Sequence, residues 1–141
     1  MDDAPARRIT AAHAARILLV PYSVAVALIV WLPAEDAGRV TGILADCARL
    51  LVPLGVPVEV GYPLLEFVAN IALFVPLGLL VQLAWPGLGW WRIALLGLTT
   101  SALIEGVQFA IPSRFPTVSD LIANTSGSVV GWVIAHAWAR R

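Results

Sequence analysis

The chain has 141 residues, 60% of them hydrophobic and only 13% charged, too little charge to cover a soluble domain of this size. Nine arginines balance nine acids, so no basic surface invites nucleic acid, and a nucleic-acid partner is disfavoured. The single Cys47 permits no internal disulfide and the two histidines lie far apart, which excludes a cysteine or histidine metal site.

These features define an all-α integral membrane bundle of four transmembrane helices, with an external amphipathic helix between spans one and two. A cytoplasmic tail covers 1–14, a single membrane domain covers 15–139, and 140–141 form the cytoplasmic end. The spans are expected at about 15–32, 64–85, 91–111 and 120–138, with an external loop at 33–63. The first, "ARILLVPYSVAVALIVW", also follows the basic leader of a signal peptide. It ends in "WLPAEDAG" without a small-x-small cleavage site, so it is read as a retained span.

Within the loop, "DAGRVTGILADCARLLVP" places Val40, Ile43, Leu44, Cys47, Leu50 and Leu51 at helical spacing, with Arg39, Asp46 and Arg49 turned elsewhere. Cys47 is expected to be buried on that stripe. "PLGVPVEVGYP" (53–63) is expected to break the helix and run extended back to the membrane.

In "FVANIALFVPLGLLVQLAW" (67–85), Pro76 is expected to kink span two. Trp85, Trp90 and Trp91 then bracket a turn as interfacial anchors. Orientation follows from arginine placement. Arg7, Arg8, Arg16, Arg92, Arg140 and Arg141 fall on one side and Arg39, Arg49 and Arg114 on the other, which puts both termini in the cytoplasm.

With that topology, seven polar residues far apart in sequence reach the outer-leaflet end together. Glu66 and Asn70 start span two, Glu105 and Gln108 end span three, Arg114 stands in the following loop, and Asp120 and Asn124 open span four. Ser119 or Asp120 can cap that last helix. Gly97 and Ser101 on span three, and Gly127 and Gly131 on span four, form small-residue faces on which these two spans are expected to pack.

"NIALFVPLG" (70–78), "IEGVQ" (104–108) and the "R…D…N-x-x-G-x-x-x-G" string from Arg114 to Gly131 resemble the VanZ-like family of small bacterial membrane proteins, named for an accessory protein of teicoplanin resistance. The resemblance covers roughly residues 64–135, while the first span and the amphipathic helix agree in layout only. It implies a multi-pass plasma-membrane protein with a link to low-level glycopeptide resistance, and brings no biochemical reaction with it. Members of that family usually show a second acid between the Arg and the Asp, where this chain has Thr117.

Three readings of the seven residues remain. They are a ligand-binding set for a membrane lipid or the head group of a lipid-linked cell-wall precursor, with Arg114 pairing to phosphate. Alternatively they are catalytic, with Glu105 as acid or base, Asp120 its partner and Arg114 the stabiliser of phosphate charge. In the third, Asn70, Gln108 and Asn124 merely cross-link helices. No "GxSxG" or "HExxH" is present, and the binding reading is preferred. No cofactor or metal is expected, and the oligomeric state is not encoded in any legible pattern.

Overall fold

The computed structural model describes residues 4–31, 34–109 and 117–140, with side chains described for 9–31, 42–109 and 117–140. The described residues form five α-helices and one short 3-10 turn, with no strand among them. In chain order they are α1 (Ala4–Trp31), α2 (Ala34–Leu51), the turn Val52–Leu54, α3 (Val58–Ala84), α4 (Trp90–Gln108) and α5 (Val118–Ala139).

Two of these helices, α1 and α3, have segments long and apolar enough to cross a membrane, Ile9–Trp31 and Val58–Ala84. Only 11% and 22% of their most apolar stretches are buried inside the chain. A helix that is apolar all round and still uncovered requires an apolar surrounding other than the protein's own core.

Two boundaries differ from expectation. Helix α1 begins at Ala4, so part of the expected tail is helical. The 53–63 segment is not an extended crossing: Gly55 turns the chain at φ 85°, Pro57 caps α3, and the helix runs through Pro63 and Pro76. Pro63 lies in the second turn, where its missing N–H removes a single backbone bond, to Glu59. That loss is tolerated beside the contact α3 makes here with α2.

That contact also corrects the expected stripe on α2. Ala48 is fully buried and Leu44 and Leu51 are half-buried, while Ile43, Cys47 and Leu50 face outward. Ala48 faces Gly61 of α3, where a Cβ would sit 3.5 Å from the Ala48 methyl. The smallest residues let the two backbones approach with Leu51 beside them, while Ile43 and Leu50 turn outward.

Helix α3 is the centre of the fold, and α5 packs on it more extensively than on any other element. The reason is steric. A Cβ on Gly78 would collide with the Ser128 carbonyl, one on Gly127 with the Ile71 carbonyl, and one on Gly131 with the backbone from Val75 to Leu79. The small face Gly127–Gly131 therefore meets α3, not α4 as its spacing suggested. Helix α4 packs on the neighbouring face of α5, where a Cβ on Gly97 would fall 2.8 Å from Ser128 Cβ. Successive residues on a helix stand about 100° apart, so Gly127 and Ser128 serve two neighbours.

At the opposite end from the polar residues, Arg16 donates to the Ala84 carbonyl at 3.0 Å and lies over the Trp85 ring. A cation there completes the carbonyl end of α3. Trp85, Trp90, Trp91 and Trp138 are exposed at this end, and Trp132 donates to the Leu88 carbonyl at 3.3 Å while stacking on His136.

Gly131→Ala should destabilise the fold by about 1–3 kcal/mol through forced separation of α3 and α5. Gly106→Ala, with nothing within 4 Å of the new methyl, should be neutral or stabilising by up to about 1 kcal/mol. Thermal unfolding of both variants in detergent, followed by circular dichroism, checks the contrast.

Candidate functional site

Helices α4 and α5 run antiparallel, and four-residue steps keep their facing residues level. Gly97 stands opposite Ser128, Ser101 opposite Asn124, and Glu105 opposite the first turn of α5. The i, i+4 spacing of Asp120, Asn124 and Ser128 puts all three on one face of α5. Ser101, Glu105, Asn124 and Ser128 are buried there, so each needs a partner inside the bundle.

Most of these needs are met between helices. Asn124 Nδ2 donates to Ser101 Oγ at 2.9 Å, and Ser101 Oγ donates weakly to the Asp120 carbonyl at 3.5 Å. Ser128 Oγ returns to the Asn124 carbonyl at 3.1 Å. From α3, Asn70 Nδ2 donates to Asp120 Oδ1 at 2.7 Å. Gln108 Nε2 reaches α1, donating to the Val30 carbonyl at 2.9 Å.

The start of α5 is built differently from expectation. Its cap is Thr117, not Ser119 or Asp120: Thr117 Oγ1 accepts from the Asp120 N–H at 3.1 Å. The Thr117 N–H itself donates to Glu105 Oε2 at 3.1 Å. Thr117 thus starts α5 and ties that start to α4.

Val30, Asn70, Leu73, Phe74, Ile104, Glu105, Gln108, Asp120 and Asn124 line a small, half-open cavity of about 30 Å³. Five of the seven sequence candidates converge here. Glu66, one turn from Asn70, is exposed and is not in the cavity wall. Arg114 lies outside the described residues, as does any contact it makes. Of the expected packing residues, Gly97 and Ser101 are buried on α4, and Gly127 and Gly131 are buried against α3.

One polar atom of Asn124 lacks a hydrogen-bond partner among the described residues. Asn124 is 4% exposed, and its Oδ1 is buried with no hydrogen bond. An acceptor left so costs about 1–3 kcal/mol. Among the described residues, no group of three or more His, Cys, Asp or Glu side chains could hold a metal ion.

A second, apolar groove of about 190 Å³ adjoins the first and shares its Phe74 and Ile104 walls. It is lined further by Tyr22, Ser23, Val26, Ala27 and Trp31 of α1, Leu77 of α3, and Thr100 and Leu103 of α4. Tyr22 donates its hydroxyl to the Leu73 carbonyl at 2.5 Å, so the polar tip of that wall is already used. Sequence reasoning missed the groove and the roles of Thr117 and Ser128. Ser128 was within reach, since it continues the Asp120–Asn124 spacing by one turn.

Thr117→Val removes the cap oxygen and should lower stability by about 1 kcal/mol, while Thr117→Ser should retain it. Thermal midpoints of the two variants in the same detergent test this.

No curated protein and no solved structure matches the chain. The VanZ/LLP1 family description matches residues 12–139, nearly the whole length. This span takes in the α1 and α2 region as well as the three helices that build the cavity. With its two uncovered apolar helices, the match supports a membrane protein, and the chain belongs to the VanZ/LLP1 family.

Proposed function

We propose that the chain crosses the plasma membrane four times, with both termini cytoplasmic. The polar cavity then sits near the outer leaflet and receives the head group of an envelope lipid or lipid-linked cell-wall precursor. Through that binding the protein modulates glycopeptide (teicoplanin) susceptibility. The carrying observation is the pocket itself, in which five polar side chains from three helices surround a small space walled otherwise by apolar residues.

Four spans are supported by length. Helices α4 and α5 have 19 and 22 residues, and at about 1.5 Å per residue each is near the roughly 30 Å of a hydrocarbon core. The Trp-rich end, with Arg16 and Arg92, suits an interfacial belt on the cytoplasmic side. Helix α2, with Ile43 and Leu50 turned outward, suits the surface of the outer leaflet.

The competing scaffold reading is favoured by the bonds that Asn70, Gln108 and Asn124 already make between helices. Paired carboxylates Glu105 and Asp120 on one cavity favour the catalytic alternative. Two substitutions separate these readings from ours. Glu105→Gln preserves size and hydrogen bonding, and Arg114→Ala removes a cation. Both should accumulate normally yet retain co-purified lipid roughly tenfold less, as expected for loss of a charge-assisted contact. They should also lose any effect on teicoplanin susceptibility.

Native mass spectrometry of the purified proteins gives the lipid readout. Parent-like retention in both would favour the scaffold, and retained lipid with lost turnover in Glu105→Gln would favour catalysis. Reporter fusions at the two termini and within 33–63 test the topology. A terminus on the outer side would place the cavity in the wrong leaflet.

A further inference from the structure

We propose that the apolar groove between α1, α3 and α4 holds one acyl chain of a membrane lipid, drawn from the leaflet that meets the polar end of the bundle. The proposal rests on the membrane placement given above and needs no ligand in the polar cavity. It begins from the shape of the groove. Phe74 and Leu77 of α3 form its floor, and its walls stand apart because α1 packs chiefly on α3 and α4 chiefly on α5. Ser23 and Ala27, one turn apart on α1, and Thr100 on α4 face it, so short side chains deepen the recess.

Its chemistry suits hydrocarbon. None of the described residues that line it is charged, and the Tyr22 hydroxyl is already spent on the Leu73 carbonyl at 2.5 Å. An apolar cavity of about 150 Å³ stays dry and accepts a small hydrocarbon, and this groove offers about 190 Å³. Trp31 and Leu103 line it and are exposed, so it opens sideways onto the same uncovered apolar surface to which Val20, Val24 and Leu28 of α1 belong. In a membrane that surface meets acyl chains.

Its depth favours a lipid chain over a neighbouring helix. The groove starts beside the polar cavity, with which it shares Phe74 and Ile104, and ends at Tyr22 and Leu77. At 1.5 Å per residue, Trp31 and Tyr22 stand about 13 Å apart along α1. One leaflet of a roughly 30 Å hydrocarbon core is about 15 Å deep. A helix from a second copy is about 10–12 Å across with its side chains and crosses the full thickness. A groove of this volume that stops near the middle does not seat it.

The test uses the full chain, one copy per nanodisc, with phosphatidylcholine or phosphatidylglycerol carrying a photoactivatable diazirine midway along one acyl chain. After irradiation, adducts are mapped by peptide mass spectrometry. Ala27, Thr100 and Leu103 should carry severalfold more adduct than Val20, Val24 and Leu28, which are exposed on α1 outside the groove and report bulk lipid. Ala27→Trp and Thr100→Leu, which fill the groove from opposite walls, should each erase that excess and leave the bulk labelling unchanged.

Uniform labelling of the two sets in the parent would overturn the acyl-chain assignment. So would groove labelling that disappears in proteoliposomes crowded with the protein and gives way to links between copies, because the occupant would then be a second chain. The diazirine reports the chain and not the head, so an excess seen equally with both lipids supports the groove. The head-group reading stands or falls separately, on the retention measurements with Glu105→Gln and Arg114→Ala.

Discussion

The architecture depends on how closely α5 can approach its two neighbours. Gly78, Gly127 and Gly131 let the α3 and α5 backbones come together, and Gly97 makes room for the Ser128 side chain where α4 meets α5. In an apolar solvent, helices gain nothing from hiding apolar surface, so association rests on close packing and interhelical hydrogen bonds. Small residues supply the first and make the second possible, because short polar side chains can bridge only helices that nearly touch.

The polar ladder is thus a consequence of that approach. Asn124 reaches Ser101, and Asn70 reaches Asp120, because the backbones are already near. The same closeness leaves most of these polar groups satisfied. It also leaves Asn124 Oδ1 buried without a hydrogen-bond partner among the described residues. Gln82 and Thr125 each leave an oxygen unpartnered as well, but neither lines the cavity.

The two ends of the bundle have different chemistry. One gathers Arg16, Trp85, Trp91, Arg92, Trp132 and His136, where arginines rest on rings or on the end of α3. The other gathers carboxylates and amides around a small cavity, with α1 closing the side through the Val30 carbonyl. An arginine–aromatic girdle suits an interface. The apolar groove between α1, α3 and α4 joins that end to the middle of the fold.

The helical class, the apolar surface and the gathering of Asn70, Glu105, Gln108, Asp120 and Asn124 at one end could be read from the sequence alone. Periodicity assigns each residue to a face and alternation of helices assigns it a depth, and both survive folding. The motifs from Asn70 to Gly131 were equally sufficient for the family. The tertiary structure decided which face meets which neighbour. Gly127 and Gly131 meet α3 because Gly78 makes room there, and a glycine carries no hydrophobic signal to announce it. It also decided that Ala48, not Cys47, is buried, that Thr117 caps α5, that Glu66 stays outside the cavity wall, and that Asn124 keeps one oxygen unpaired. Each of these depends on distances between helices, which a linear pattern does not contain.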